Sequence, residues 1–364
     1  MLSPKTKRNI SRIIPFGLIW LIFSLVYTLL ERGLLNELTY YPSTGNPYTF
    51  SKNIFITPIS ALIAGLLIGT IEILYLNRLF IKKKFTEKIV YKTVIYLGII
   101  TLFLLSVTAV ANAIELQTTI FNEEVWKNVW TFFFSYAFLS VGVYMAAIIV
   151  ISQFYTEVSE NIGQGVLNNF LTGRYHTPKE DERIFMFLDM ASSTTIAESL
   201  GHCRYFEMLK EYYSDLSVSI INHGDRIYQY VGDEVIVSWT LKSGLHQNNC
   251  VECFFAMKAS IRKHARKYHK EFGLLPEFKA GLHLGKVTTG EIGVIKKEII
   301  FTGDVLNTTS RIQGLCNTYK VDILISGDLK KRLNLDSQFQ IRTFGENELR
   351  GRDEKVELFT ISLS

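Results

Sequence analysis

Four stretches of the chain are almost continuously apolar, and all four fall before residue 155. They run over Ile13–Leu30, Ile54–Leu76, Thr93–Ile114 and Val129–Ile151. Each is long enough to cross a hydrocarbon core about 30 Å thick, which takes about 20 helical residues. After that the pattern changes. Phe154, Val158, Ile162, Val166 and Phe170 recur every fourth residue, the stripe of an amphipathic helix. Gly163 and Gly165 weaken it, and Pro178 closes it. From about residue 180, short apolar runs alternate with helical patterns. "RIFMFLDM" reads as a buried strand ending in Asp189, and "SSTTIAESLG" as a helix opening on good capping residues. A long helix is expected over about Arg204–Ile221, a hairpin over "IYQYVGDEVIVSW" and a helix near Val251–Tyr268. "EFKAGLHLGKVTTGEIG" (Glu277–Gly293) reads as two strands around a turn, and "GDVLNTTSRIQGL" as the start of a helix. Val321–Ser326, Phe339–Phe344 and Val356–Ile361 read as closing strands. The pattern predicts three parts: an all-α transmembrane bundle of four helices over 1–152, a helical linker over 153–180, and an α+β domain over 181–364. The last is expected to be an open sheet with helices on one face.

Charge orients these parts. The N-terminus carries Lys5, Lys7, Arg8 and Arg12, and the loop after the second run carries Arg78, Lys82, Lys83, Lys84, Lys88 and Lys92. The other two loops hold only Arg32, Lys52 and Lys127. Basic loops stay in the cytoplasm, so both termini and the α+β domain are expected there, below a multi-pass cell-membrane anchor. The first run is too long for a cleaved signal peptide, and no small-residue cleavage site follows it. Within the runs, Glu72 is the acid to watch; near the end of its run it is expected to reach the interface. "GLLIG" (Gly65, Gly69) permits close helix packing. No charge ladder or broken-helix pair points to transport, so an anchor that also dimerises is the reading, with a ligand sensor as the other.

The net charge of +5 sits largely beside membrane segments and does not imply nucleic acid as a partner. The four cysteines (Cys203, Cys250, Cys253, Cys316) all lie in the α+β part and suit reduced thiols. Cys250 and Cys253 form a C-x-x-C with no second pair or nearby His, in an amphipathic helix, which reads as packing rather than metal binding.

The chemistry begins with two acids at strand ends. If the strands of Asp189 and Asp233 are neighbours, both carboxylates project from one edge. Two carboxylates a few ångströms apart repel unless a cation sits between them. Few, hard oxygen ligands completed by substrate phosphates are the Mg²⁺ pattern. Two such ions can clamp an in-line phosphoryl displacement, and the backbone N–H groups after Asp189 can seat a phosphate. Asn307 and Arg311, four apart in "NTTSR", share a helix face. Arg there can stabilise charge on a transferring phosphorus, and Asn can orient a ribose. Singly, each of these is an ordinary surface feature; the combination is what points to a site.

Taken together, the motifs resemble the class III nucleotidyl cyclases. "FLDMASST" resembles their first metal strand, "YVGDEV" their second metal hairpin, "GDVLNTTSRIQ" their transition-state helix and "LRGRDEKVELF" their C-terminal signature. The resemblance covers about Glu182 to the end. It implies a ferredoxin-like α+β catalytic domain that works as a homodimer. Asp189, the Met190 carbonyl and Asp233 of one copy would hold two Mg²⁺ or Mn²⁺ per active site. Asn307, Arg311 and the phosphate-binding Arg350 would come from the other copy. The product would be a 3′,5′-cyclic nucleotide. Members that use ATP usually carry Lys four residues before the second Asp and Asp or Thr seven before the Asn; guanylyl members show Glu and a small residue. Here those positions are Gln229 and Ile300. Gln can both donate and accept, and Thr302 shares the face of Ile300 by strand alternation. ATP is the expected substrate, with GTP or a pyrimidine triphosphate as alternatives and a silent signalling scaffold as the non-enzyme reading. A diguanylate cyclase would need a Gly-Gly-acid-acid-Phe turn, which "YVGDEV" lacks.

Overall fold

Each apolar run folds as part of a longer helix. In the computed structural model these are α1 (Pro4–Leu35), α2 (Phe50–Ile71, extended by a π-helical turn over Glu72–Leu76), α3 (Phe85–Glu115) and, after α4 (Glu123–Phe133), α5 (Tyr136–Ile162). The structure describes residues 3–42, 47–80, 83–163, 166–223, 226–295, 297–335, 338–352 and 354–364. Lys82 and Gly165, and the side chain of Phe170, lie outside the described residues. α1, α2, α3 and α5 are long and apolar enough to cross a membrane. The fourth run departs from expectation because it is not one helix. α4 stops at Phe133, and Ser135 restarts the chain by accepting a hydrogen bond from the Phe138 N–H at 3.2 Å.

The helices of this unit (Thr6–Leu167) meet in two different ways. Gly65 and Gly69 bring α2 against α1: a Cβ on Gly65 would lie 2.8 Å from the Phe16 carbonyl, and one on Gly69 2.9 Å from the Phe16 side chain. Near the end of α5 the packing is ionic. Glu72 does not reach an interface, as the sequence suggested; it is 1% exposed. Its Oε1 accepts from Lys92 Nζ at 2.5 Å and its Oε2 from the Tyr96 hydroxyl at 2.9 Å. Lys92 also donates to Asn77 at 2.7 Å and lies 3.5 Å from Glu157, which in turn pairs with Lys88 at 3.2 Å. Glu72, Lys92, Glu157 and Lys88 thus form an ion-pair network in the bundle that the sequence pattern does not show. The acid and the lysines sit on different helices 16–20 residues or more apart, and no single-helix pattern reveals that they converge. In the linker, Ser152, Gln153, Thr156 and Glu157 are buried while the stripe residues Phe154 and Ile162 face outward. α5 ends at Gly163, and α6 (Val166–Leu171) follows.

The second unit, Asn168–Ser364, is built on one sheet of eight strands. The strands are β1 (Lys179–Met190), β2 (Arg226–Val231), β3 (Glu234–Thr240), β4 (Phe278–Ile292), β5 (Glu298–Thr302), β6 (Ile323–Ser326), β7 (Phe339–Asn347) and β8 (Val356–Leu363). Their order is β2-β3-β1-β4-β6-β8-β7, with β5 paired to β4. All pairs are antiparallel except β4 with β6. After β1 come α7 (Ser193–Leu200) and α8 (His202–Asn222); α9 (Asn249–Lys263) and α10 (Ala265–Phe272) precede β4, and α11 (Asp304–Tyr319) and α12 (Gly327–Arg332) flank β6.

Two expectations are corrected here. The helices cover both faces of the sheet, not one. Ile184, Met186 and Leu188 join Met208, Tyr212, Cys250 and Phe254 on one side, while Phe185, Phe187 and Ile236 meet Val305 of α11 on the other. The signal was present: "IFMFL" is apolar at every position, and a strand covered on both faces reads as a continuous run rather than an alternation. Second, Glu277–Gly293 forms one long strand instead of two around a turn. Its glycines mark close approach rather than reversal. A Cβ on Gly281 would sit 2.4 Å from the backbone nitrogen of Gln313, so only glycine lets α11 lie on the strand. Cys250 and Cys253 are free, buried thiols in α9, as packing requires.

Candidate active site

Asp189 stands at the end of β1, and β1 pairs with β3 through Leu188↔Val235. Asp233 precedes β3 in a two-residue hairpin closed by Val231↔Glu234. Gly232 takes the first turn position at φ 64°, a left-handed conformation that glycine adopts without a Cβ penalty. The Tyr213 hydroxyl donates to the Gly232 carbonyl and pins the turn from α8. The two acids are thus neighbours, as adjacency of their strands would dictate.

Electrostatics registers the crowding. Burial, then a hydrogen bond to Asp233 and the charge of Asp233, pushes the Asp189 carboxyl up to about 6, against an opposing hydrogen bond from the Met190 N–H. Glu234, next in sequence, rises to about 7 through burial and the charges of Asp189 and Asp233. Asp233 Oδ2 is buried with no hydrogen-bond partner among the described residues. An unpartnered buried carboxylate oxygen beside a second carboxyl fits a hard divalent cation, which would relieve both the desolvation and the repulsion. Among the described residues no group of three or more His, Cys, Asp or Glu side chains is placed to hold a metal. Two protein carboxylates with the rest of the shell from backbone, solvent or substrate oxygens is the arrangement this chain offers. The Met190 side chain is buried in the core, leaving only its backbone for such a role. α7 begins just after these acids with Ser192 at φ 57° and no side-chain cap, so its first N–H groups remain available.

The second group of predicted residues gathers on α11. Asn307 is exposed and Arg311 half-buried one turn later. Arg311 Nη1 is buried without a hydrogen-bond partner among the described residues. Arg350 is exposed in the turn between β7 and β8, and a Cβ on the adjacent Gly351 would lie 3.5 Å from Arg311 Nη2. Arg311 and the Arg350 turn are therefore neighbours. Gln229 is exposed on edge strand β2, opposite Ile236 and just past a bulge at Tyr228. Ile300 and Thr302 lie on β5 opposite Gly290 and Thr288, with Ile300 half-buried and Thr302 exposed. β3, β1 and β4 separate Gln229 from that strand. Sequence reasoning missed Glu234, whose neighbour Asp233 drew the attention, and Tyr213, which no motif marks.

The structure thus combines a mixed sheet with helices on both faces, two adjacent carboxyls at a strand end and a hairpin, and a half-buried arginine on a separate helix. Residues 176–362, just over half of the chain, match the adenylate and guanylate cyclase catalytic domain family. The chain belongs to that family. It is 35% identical over 224 residues to Adenylate cyclase 2 of Rhizobium meliloti (strain 1021), covering 62% of this chain and 62% of that protein. It is 26% identical over 208 residues to Adenylate cyclase 1 of the same strain, covering 56% of this chain and 30% of that protein. The match thus spans less than two thirds of either relative. The fold is shared with a bacterial light-regulated adenylyl cyclase of known structure, with a TM-score of 0.54, 18% identity, and coverage of 63% of this chain and 67% of that one.

Proposed function

We propose that this protein is a membrane-anchored nucleotide cyclase acting as a homodimer, converting a nucleoside triphosphate, ATP first among them, to the 3′,5′-cyclic monophosphate and pyrophosphate. The observation that carries the reading is a complementary pair of buried polar atoms, Asp233 Oδ2 in one cluster and Arg311 Nη1 in another, each without a hydrogen-bond partner among the described residues. A second copy placed head to tail would face each cluster with the other, and a triphosphate with its cations would bridge them. Adenylate cyclases among the relatives favour ATP.

In this reading Asp189, Asp233 and the Met190 carbonyl would hold Mg²⁺ or Mn²⁺. Bound there, the ions would lower the pKa of the ribose 3′-hydroxyl and offset the triphosphate charge. Asn307 of the other copy orients the ribose so that the 3′-oxygen lines up with the α-phosphorus. As the 3′-oxygen bonds to that phosphorus, the bond to the bridging oxygen breaks and pyrophosphate departs; the hydroxyl proton passes to solvent. Arg311 stabilises charge as it builds on the α-phosphoryl oxygens, and Arg350 holds the departing phosphates. The four apolar helices would anchor the enzyme, and the basic N-terminus and the basic residues at 78–84 support a cytoplasmic position for both termini and the catalytic unit.

Gln229 and Ile300 match neither the usual adenine nor the usual guanine pair, so GTP and a pyrimidine triphosphate stand as the alternatives for base choice. Offering ATP, GTP, CTP and UTP to the purified chain with Mn²⁺, with products identified by mass, tests both. Cyclic AMP as the main product supports the reading; cyclic GMP or a cyclic pyrimidine nucleotide moves the base assignment; no cyclic product from any of the four leaves a silent scaffold.

A further inference from the structure

The turn between β7 and β8 enters the site only through Arg350, yet it is fastened to α11 at both ends. At one end Leu349, 3% exposed, packs in the cluster that contains Ile312 of α11. The Arg352 N–H closes the turn on the Leu349 carbonyl at 3.0 Å. Gly351, at φ 69°, crosses Arg311 closely enough that a Cβ would stand 3.5 Å from Nη2. At the other end the Arg352 side chain reaches back to the first turns of the helix. Its Nη1 donates to Thr308 Oγ1 at 3.0 Å and lies 3.5 Å from Asp304 Oδ2, and the Thr308 hydroxyl donates to the same Asp304 oxygen at 3.1 Å. Its Nη2 donates to Glu354 at 3.4 Å. Thr308 is fully buried. The turn is a strap across the helix that bears Asn307 and Arg311.

The two arginines of "RGR" therefore differ in kind. Arg352 is committed to a carboxylate, a hydroxyl and a second carboxylate, which leaves it little capacity for a phosphate. Arg350, two residues away, is exposed, with no ion pair or hydrogen bond to another described residue. We propose that Arg352 is a positioning residue: through Asp304 and Thr308 it ties the 349–352 strap to the start of α11, so that Arg350 is held beside Arg311 where the triphosphate must bind. The proposal rests on the cyclase reading for its consequence, though not for the contact itself. A guanidinium planted on a carboxylate is geometrically specific in a way an ammonium is not, and small displacements of a positioning group cost rate steeply.

The test uses the full chain in detergent micelles and the variants Arg352→Ala, Asp304→Asn, Arg350→Ala and Arg350→Ala/Arg352→Ala. Hydrogen exchange is followed at residues 349–352, and cyclic-product kinetics with Mn²⁺ are measured alongside inhibition by pyrophosphate. Arg352→Ala and Asp304→Asn should each speed exchange of the strap while exchange in β1 and α8 stays as in wild type. Arg352→Ala should raise KM and the pyrophosphate inhibition constant together, roughly 10-fold. The double variant should be no worse than Arg350→Ala alone, because a strap that no longer carries Arg350 has nothing left to position. Unchanged exchange at 349–352 in Arg352→Ala overturns the proposal, and so does a double variant in which the two losses multiply. If the strap loosens as expected but the wild-type chain makes no cyclic product, the cyclase reading fails and the fastening stands.

Discussion

Replacing Asp189 with Asn should make the metal-free catalytic unit more stable while removing its activity. The Asp189 carboxyl is raised from its ordinary 3.8 to about 6 by burial and by Asp233. Below about pH 3.8 it is protonated in the folded and unfolded chain alike, and it costs nothing. Between 3.8 and about 6 the unfolded chain releases the proton while the folded chain keeps it, so stability falls as pH rises. Above about 6 the full penalty is present; solvent screening of this half-exposed carboxyl brings it to about 2 kcal/mol. Asn keeps the shape and loses the charge, but it also weakens the bond from the Met190 N–H, which offsets about 1 kcal/mol. The net gain of about 1 kcal/mol corresponds to roughly 2–4 °C in melting temperature for a unit of this size. Thermal unfolding of residues 168–364 in EDTA at pH 7.5 measures it, repeated at pH 4, where the advantage should vanish. Saturating Mn²⁺ should then raise the wild type and leave Asp189→Asn behind. A variant that melts lower than wild type in EDTA at pH 7.5, or whose advantage persists at pH 4, would refute the reasoning.

Three more outcomes are expected. Lys92→Ala strands Glu72 in the bundle with no cation, and should destabilise the full chain in detergent by about 3–5 kcal/mol; the joint change Lys92→Met/Glu72→Met should cost far less, as read from heat-induced loss of the folded chain. Gly281→Ala places a Cβ against the backbone of α11 and should cost about 1–3 kcal/mol by thermal unfolding, with lower turnover as the helix that bears Arg311 is displaced. Arg311→Ala should reduce kcat by roughly 10²–10³ with a smaller change in KM in steady-state assays, because its contact matters most as charge develops.

The sequence carried much of this architecture, for identifiable reasons. Apolar length is a one-dimensional property, and four helices long and apolar enough to cross a membrane were visible from it. The strand and hairpin of the two acids were visible because each acid follows an apolar run that reads as a buried strand, and strand pairing then sets Asp189 beside Asp233. What escaped was whatever depends on two elements meeting. Gly281 looks like a turn residue until α11 is laid on it. Glu72 looks free to reach water until Lys92, 20 residues on, is brought to it from another helix. Arg352 looks like a duplicate of Arg350 until Asp304 and Thr308 are seen beneath it. Glu234 is a plain exposed acid in a list of residues, and its titration near 7 exists only because Asp189 and Asp233 crowd it. Base choice stays illegible for the opposite reason: Gln229 and Ile300 lie on separate strands, and neither residue type commits to one edge of one base.

The most direct measurement is complementation between two inactive chains. Asp233→Ala keeps Asn307 and Arg311, and Arg311→Ala keeps both acids. Mixed, they should form heterodimers in which one of the two sites is intact, restoring about a quarter of wild-type turnover at equal amounts. Activity that stays at the level of the separate variants, although the two chains are shown to associate, would contradict a site shared between copies.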